Sequence, residues 1–350
     1  MNNTFRTLPP PRTSPLRGGP TLRWGIAAPG GIAADFVHAL HTHTDQRVVA
    51  VGSRSAERAE QFARRHGIAR NHGSYTQLFE DPGVQIVYVA APHSEHRTIA
   101  LAAVAAGKHV LIEKPIALSA AEAGDIRDAA RAAGVFAMEA MFTRFLPQTD
   151  VMVQLRDDGV LGDVGLLTAD LGFAAEPGGR IHDPALGGGA LLDLGVYPVW
   201  LSHLWLGAPA SVTAVGSLSA TGVDEQSALV LQHDSGALAE LSTGIRVRSA
   251  GRASISGSRG RVDVDPWFIF AGGLEWAPVD PESSVLRFTD ESGLLLREGM
   301  AWQTAAVAQH VADGLLESPL HPLQTSIDVL TTIDEARRQL HGDDAARHIS

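Results

Sequence analysis

One alternation constrains this chain more than any other feature. From Thr21 to about residue 143, short apolar runs and helical patterns follow one another. TLRWGIAAPGGIAADFVHAL reads as a short buried strand, a glycine-rich turn and a helix. RVVAVGS (47–53), VQIVYVAAP (84–92) and KHVLIEKP (108–115) are further runs of strand length. Between them SAERAEQFARRHG (55–67), HRTIALAAVAAG (96–107) and SAAEAGDIRDAARAAG (119–134) carry the helical pattern. Gly67 and Gly134 act as stops, and Ser119 and Glu122 have capping-box spacing. Strands alternating with helices predict a parallel sheet covered on both faces.

After about residue 145 the pattern changes. A helix over 147–158 leads into VGLLTADLGF (164–173), and SVTAVGSLSA, SALVLQHDSGALAELSTG and ASISGSRGRVDV follow. The HDSG turn between two alternating runs predicts a hairpin, and with it an antiparallel sheet. Helices over 302–317 and 324–340 close the chain.

At 350 residues the chain predicts two domains, and two domains imply a cleft. A formal net charge of −11 argues against nucleic acid as a partner, because phosphate-backbone binding needs a broad basic face. No apolar run reaches the length of a membrane span, and the absence of cysteine removes disulfides, thiolate metal sites and cysteine nucleophiles together. A cytoplasmic location is the default expectation. Residues 1–20 are rich in proline and arginine without an acidic residue or an apolar signal region, so they predict a mobile arm unless a partner holds them.

In open α/β sheets ligands bind beyond the carboxyl ends of the strands, and the first strand-to-helix turn comes nearest a pyrophosphate. Here that turn is AAPGGIA, which puts Ala28, Gly30 and Ala33 in the places of a G-x-G-x-x-G/A pattern, with Gly31 and Ile32 opening the helix. Ala28 stands where the first glycine belongs. The second strand ends in Gly52-Ser53-Arg54 rather than in the acid that binds the ribose hydroxyl of NAD. Arg54, helped by Ser53 and Arg58, suits a 2′-phosphate and favours NADP over NAD; the competing reading is a solvated arginine at a helix start. The fold expected is therefore an N-terminal Rossmann dinucleotide-binding domain (21–143), followed by an α/β domain (144–350) with a large, mainly antiparallel open sheet.

Three more segments, YVAAPHSEH (88–96), LIEKP (111–115) and GGGALLDLGVYP (187–198), join WGIAAPGGIA in one order. Together they resemble the glucose-fructose oxidoreductase, inositol dehydrogenase and rhizopine-catabolism (Gfo/Idh/MocA) family. MEAMFTRFLP (138–147) is similar to the branch that contains dimeric dihydrodiol dehydrogenases and NADP-dependent xylose dehydrogenases. The resemblance implies a hydride-transferring oxidoreductase with a small carbohydrate-like substrate, and a homodimer or dimer of dimers formed through the C-terminal sheet. It implies that Lys114 lies near the nicotinamide and the reacting oxygen, often with a cis bond before Pro115. It also implies that Asp193 and Tyr197 occupy the aspartate and acid–base positions. Pro92, His93, His96 and Glu113 complete the expected cofactor-binding set, with a loop histidine bonded to backbone as the other reading of His93.

The residue chemistry supports these roles. A free phenol, with a pKa of about 10, is a poor base at neutral pH, and a cation such as Lys114 favours its phenolate. In reduction the same phenol donates a proton, while the lysine stabilises the oxyanion; the competing readings are a core tyrosine bonded to backbone and an exposed strand-end lysine. Asp193, one helical turn before Tyr197, can bond substrate hydroxyls or orient the lysine, and the glycines before it let a loop approach the ligand. Arg144 and Arg180 are either substrate-binding or surface residues. His38, His41 and His43 raise a metal site with Asp45, but the cage is incomplete, and solvent-facing histidines with no metal are expected. Two alternatives to a sugar or polyol dehydrogenase remain: a keto-sugar reductase, its substrate nucleotide-linked in one version, and a noncatalytic NADP-binding regulatory protein.

Overall fold

The computed structural model describes residues 7–342. The chain forms two compact units, one built from Thr13–Leu146 with Leu294–Ile327, the other mainly from Pro147–Gly293 with residues 328–342.

The N-terminal unit is the expected alternation. Its elements are β1 (Arg23–Ala27), α1 (Gly31–His43), β2 (Arg47–Gly52), α2 (Ala56–His66), β3 (Arg70–His72), α3 (Tyr75–Glu80), β4 (Ile86–Val89), α4 (His96–Ala105), β5 (His109–Ile112), α5 (Ala120–Ala133) and β6 (Ala137–Glu139). The six strands are all parallel, in the order β3-β2-β1-β4-β5-β6. Order reverses between β1 and β4, which puts the ligand crevice of this sheet type beyond those strand ends. The core is apolar where the sequence is: Trp24 and Ile26 of β1, Phe36 and Leu40 of α1, and Tyr88 of β4 are fully buried. The Phe36 and Tyr88 rings stack with centroids 3.8 Å apart.

Helix ends follow from single residues. Ser55 caps α2 by accepting the Arg58 N–H, and Gly67 closes it in the left-handed region at φ 65°. Ser119 and Gly134 do the same for α5, although Glu122 bonds the N–H of Leu118 rather than that of the cap. Two short elements, β3 and α3, go beyond the expected alternation. β3 is a three-residue edge strand, RNH, without an apolar residue, and only its pairing with β2 makes it a strand.

Two boundary expectations change. Residues 294–327 were assigned to the C-terminal domain, but they fold with the N-terminal unit. They carry the 3-10 turn Leu296–Gly299, and Leu316 O accepts the N–H of Ala137 at 3.0 Å. Residues 12–18 of the expected mobile arm are also held by the chain itself. Arg12 donates to both oxygens of Asp150, and Arg17 and Gly18 donate to Asp45. These carboxylates hold a segment that buries little apolar surface of its own. Residues 1–6 of the expected arm lie outside the described residues.

The second unit runs α6 (Pro147–Asp157), β7 (Val164–Gly172), α7 (Val196–Leu206), β8 (Ser211–Leu218), β9 (Asp224–Gln232), β10 (Leu238–Gly244), β11 (Ala253–Gly257), β12 (Gly260–Val264), β13 (Gly273–Pro278) and β14 (Leu286–Thr289). Its eight strands are ordered β14-β13-β12-β11-β7-β10-β9-β8, and every pairing is antiparallel except β7 with β10. The predicted hairpin is β9-β10. Alternation sends Leu229, Leu231, Ala239 and Leu241 to a buried face, on which α7 lies with its buried Trp200 and Leu201. The helix expected over 302–317 is α8 (Met300–Ala312), cut short near Gly314 at φ 74°, and α9 (Leu323–His341) ends the described chain.

Candidate active site

At the carboxyl edge of the N-terminal sheet, β1 passes into α1 through Ala28, Pro29 and Gly30. Ala28 has φ 74°, the left-handed conformation that costs a non-glycine residue roughly 1–2 kcal/mol. A glycine-like turn is thus made here with alanine, and Ala28 N bonds Gly52 O at 3.1 Å. No side chain caps α1, and a Cβ built on Gly30 or Gly31 meets nothing within 4 Å. The start of α1 is therefore exposed and uncapped, the arrangement that receives a phosphate.

At the end of β2, Ser53 is buried, and its Oγ accepts the N–H of Ser55. Arg54 is 70% exposed at its side chain and pairs with Glu95 at 3.3 Å. Glu95 was not among the expected residues. Tyr75 lies in the same electrostatic neighbourhood: burial raises its phenol above the ordinary value, against an opposing pull from Arg54 and Arg58.

The peptide bond between Lys114 and Pro115 is cis. Several buried groups brace this loop. The carboxylate of Glu113 accepts the phenol of Tyr88 and the N–H of Lys114, and burial, the largest influence, raises its pKa despite those bonds. His96, fully buried, points Nδ1 at Pro115 O (2.8 Å) and Nε2 at Ala91 O (2.9 Å). A neutral imidazole donates to only one of them. His93 is buried beside His96, with ring centroids 5.6 Å apart. Glu113 and His96 thus support the loop through backbone and phenol, while Lys114 and Pro92 remain partly exposed.

A second, unexpected brace centres on Glu139. Buried Glu139, at the end of β6, accepts the N–H of Ile116 with one oxygen, and the other takes Ser326 Oγ and faces His321 Nε2 at 3.0 Å. These bonds and His321 hold its carboxyl below the usual range against the opposing effect of burial, which is the largest single influence. Arg144, expected either at the substrate or on the surface, is buried and donates Nε to Leu320 O. It anchors the same returning segment.

In the second unit, Leu191–Gly195 is a π-helical turn running into α7. Asp193 and Tyr197 are both buried, and Asp193 Oδ1 accepts Arg180 Nη2 at 3.0 Å. The glycines before them need a different explanation from the one expected. A Cβ on Gly188 would run into the carbonyls of Ile181 and Asp183, and one on Gly189, at φ 121°, into the Asp224 carboxylate. Gly188 and Gly189 admit the chain's own backbone and an internal aspartate. Asp224 Oδ2 accepts Leu191 N at 2.6 Å, and burial, outweighing that bond, pushes its carboxyl up to about 6.

This shift sets a pH dependence. A raised carboxyl pKa contributes stability that is fully present below the unfolded value near 4 and is lost as pH rises through about 6. The swing amounts to about 3 kcal/mol at most. Urea unfolding of the Asp224→Asn protein is expected to lose this part of the pH slope between pH 4 and 7, keeping near-neutral stability at or above that of the parent.

Among the histidines, His41 accepts the N–H of Val48, and Asp45 is occupied by Arg17 and Gly18. His38 and His43 instead converge on Glu298. The expectation of merely solvent-facing histidines therefore does not hold for His41 or His43.

Residues 22–141 match the model of an oxidoreductase family with an NAD-binding Rossmann fold, and residues 150–263 match the Gfo/Idh/MocA C-terminal domain. The chain is 36% identical over 328 residues to trans-1,2-dihydrobenzene-1,2-diol dehydrogenase of Xenopus tropicalis, covering 91% of this chain and 98% of that one. The human enzyme of the same name is 33% identical, with 91% and 97% covered. A solved 3-ketoreductase from Actinomadura kijaniata, in complex with NADP and TDP-benzene, superposes with a TM-score of 0.78 at 28% identity over 91% of this chain and 98% of that one. No described helix is long and apolar enough to cross a membrane. With relatives this similar along nearly its whole length, the chain belongs to the Gfo/Idh/MocA family of NAD(P)-binding oxidoreductases and acts on CH–OH groups.

Proposed function

We propose that the chain is an NADP-dependent dehydrogenase of a sugar, dihydrodiol or related polyhydroxylated alcohol, in which Tyr197 carries the proton and Lys114 stabilises the reacting oxygen. The observation that carries this reading is identity of 33–36% to dihydrodiol dehydrogenases across 91% of the chain. Its cofactor part rests on Arg54 at the end of β2, where NAD-selective folds place an acid. The residues present fit such a cofactor: the uncapped, exposed start of α1 suits a pyrophosphate, and an exposed guanidinium suits a 2′-phosphate.

A bound nicotinamide supplies the hydride acceptor in oxidation and the hydride donor in reduction. The protein residues manage the proton and the charge. Tyr197 takes the hydroxyl proton or returns it, and the Lys114 ammonium holds the developing oxyanion. Asp193, oriented by Arg180, offers a carboxylate to neighbouring substrate hydroxyls. Ser53 and Arg58 assist Arg54, and Glu95 is the counter-ion that a 2′-phosphate displaces.

Absorbance of the reduced nicotinamide, followed with NADP and NAD across aldoses, trans-dihydrodiols and keto-sugars, tests the assignment. Turnover is expected with NADP on at least one member. Arg54→Ala is expected to raise KM for NADP roughly 10- to 100-fold, the worth of charge-assisted hydrogen bonds, with little change for NAD. Preference for NAD in the parent protein sinks the Arg54 argument. A keto-sugar reductase, the direction named for the 28%-identical neighbour, is the second reading, and the same panel separates the two.

We infer that a homodimer forms through the open face of the second sheet, where Val230 on β9 is 45% exposed and, on the far strands, Arg287 pairs with Asp265 and Glu275. Light scattering of the purified chain decides it.

A further inference from the structure

One cluster of ligand-type side chains has no part in the chemistry above. On α1, His38 and His43 face the 3-10 turn Leu296–Gly299, and Glu298 of that turn meets both. Glu298 Oε1 lies 3.5 Å from His38 Nε2 and 3.3 Å from His43 Nε2. All three ligand atoms fall within 4.8 Å of one another. The carboxylate is held in place, because its Oε2 accepts the N–H of Leu295 at 2.8 Å. His43 Nε2 is buried and makes no hydrogen bond, so it approaches Oε1 without bonding geometry. His38 Nδ1 stands 3.5 Å from Thr42 Oγ1. Donation from Nδ1 to that hydroxyl leaves Nε2 as the lone-pair atom, the tautomer a metal ligand needs.

We propose that His38, His43 and Glu298 form a zinc site. A tetrahedron with arms of about 2.0–2.1 Å has edges of roughly 3.3–3.4 Å, close to the two N···O separations. Two imidazoles and a carboxylate suit Zn²⁺ rather than Mg²⁺ or Ca²⁺, which take oxygen ligands. The His38 side chain is 60% exposed, so the fourth position opens to water. The ion ties α1 to the returning segment, alongside the ion pair of Arg297 with Asp35 at 2.6 Å. His38 sits roughly 10 Å along the helix from the phosphate-facing turn, so zinc acts on the stability of this unit rather than on hydride transfer.

The full-length, tag-free protein, stripped with a chelator and desalted, is titrated with ZnCl₂ by calorimetry and by thermal unfolding. Expected is saturable binding of one ion per chain and a melting temperature raised on the order of 5 °C once zinc exceeds about a hundred times its Kd. MgCl₂ at the same concentrations gives no shift. Glu298→Gln and His43→Gln are each expected to weaken zinc binding roughly a hundredfold while turnover without zinc is unchanged. Should His43→Gln fail to fold, His38→Gln, at the exposed position, gives the same reading. The proposal is overturned if zinc binds no tighter than about a millimolar, or if binding survives these substitutions undiminished and therefore belongs to other histidines.

Discussion

Tyr197→Phe is expected to lower kcat and kcat/KM together by about 10²–10⁴, the usual contribution of a positioned acid–base group. The substitution keeps the ring, which matters because Tyr197 is only 4% exposed in α7. Loss of the hydroxyl alone is expected to leave the fold and the cofactor Kd close to those of the parent. A structural tyrosine would behave differently, shifting the denaturation midpoint by the worth of one hydrogen bond, about 1 kcal/mol, with turnover preserved. The pH profile adds a second readout. If the phenol carries the proton, the limb of the kcat profile it governs disappears in the variant. Turnover within about threefold of the parent, measured with the same substrate and cofactor, removes Tyr197 from the proton path.

The N-terminal sheet was legible because its signals are local. Each buried strand is an apolar run, and the Ser55, Gly67, Ser119 and Gly134 boundaries are set by their own side chains or by the lack of one. β3 was not legible, since an edge strand of Arg-Asn-His owes its existence to a neighbour and carries no pattern of its own. The return of Leu294–Ile327 was hidden for a related reason. A helix's apolar face says that it packs, not against which sheet, and the contacts that decide it come from Glu139 and Arg144 far back in the chain.

The site shows the same division. The proposed residues Lys114, Asp193, Tyr197 and Arg54 are singled out by motif or strand-end position. Their supports are not, because a carboxylate such as Glu95, Glu139 or Asp224 resembles any other until its partner is known. The triple glycine illustrates how motif and cause part company. It singles out the segment before Tyr197, but the bulk that Gly188 and Gly189 avoid belongs to Ile181, Asp183 and Asp224. The π-turn before α7 was likewise invisible, since four-residue spacing fits an α-turn equally well on paper.

Lys114→Met is expected to lower kcat by roughly 10²–10³, the scale for losing one group that stabilises a developing oxyanion. Methionine keeps an unbranched apolar stem and removes the charge, so the loop held by Glu113, His96 and Glu139 retains its packing. Combination with Tyr197→Phe then asks whether the two residues serve one transition state. Groups acting as a unit are strongly non-additive, so the double variant is expected to lose little beyond the worse single variant. Multiplying losses would mean independent tasks, with Lys114 confined to binding the cofactor. That outcome would also appear as a higher cofactor Kd in Lys114→Met, which the oxyanion role does not require. A Lys114→Arg protein sharpens the distinction: a planar guanidinium keeps the charge but not the compact ammonium geometry. It should retain cofactor affinity while recovering only part of kcat.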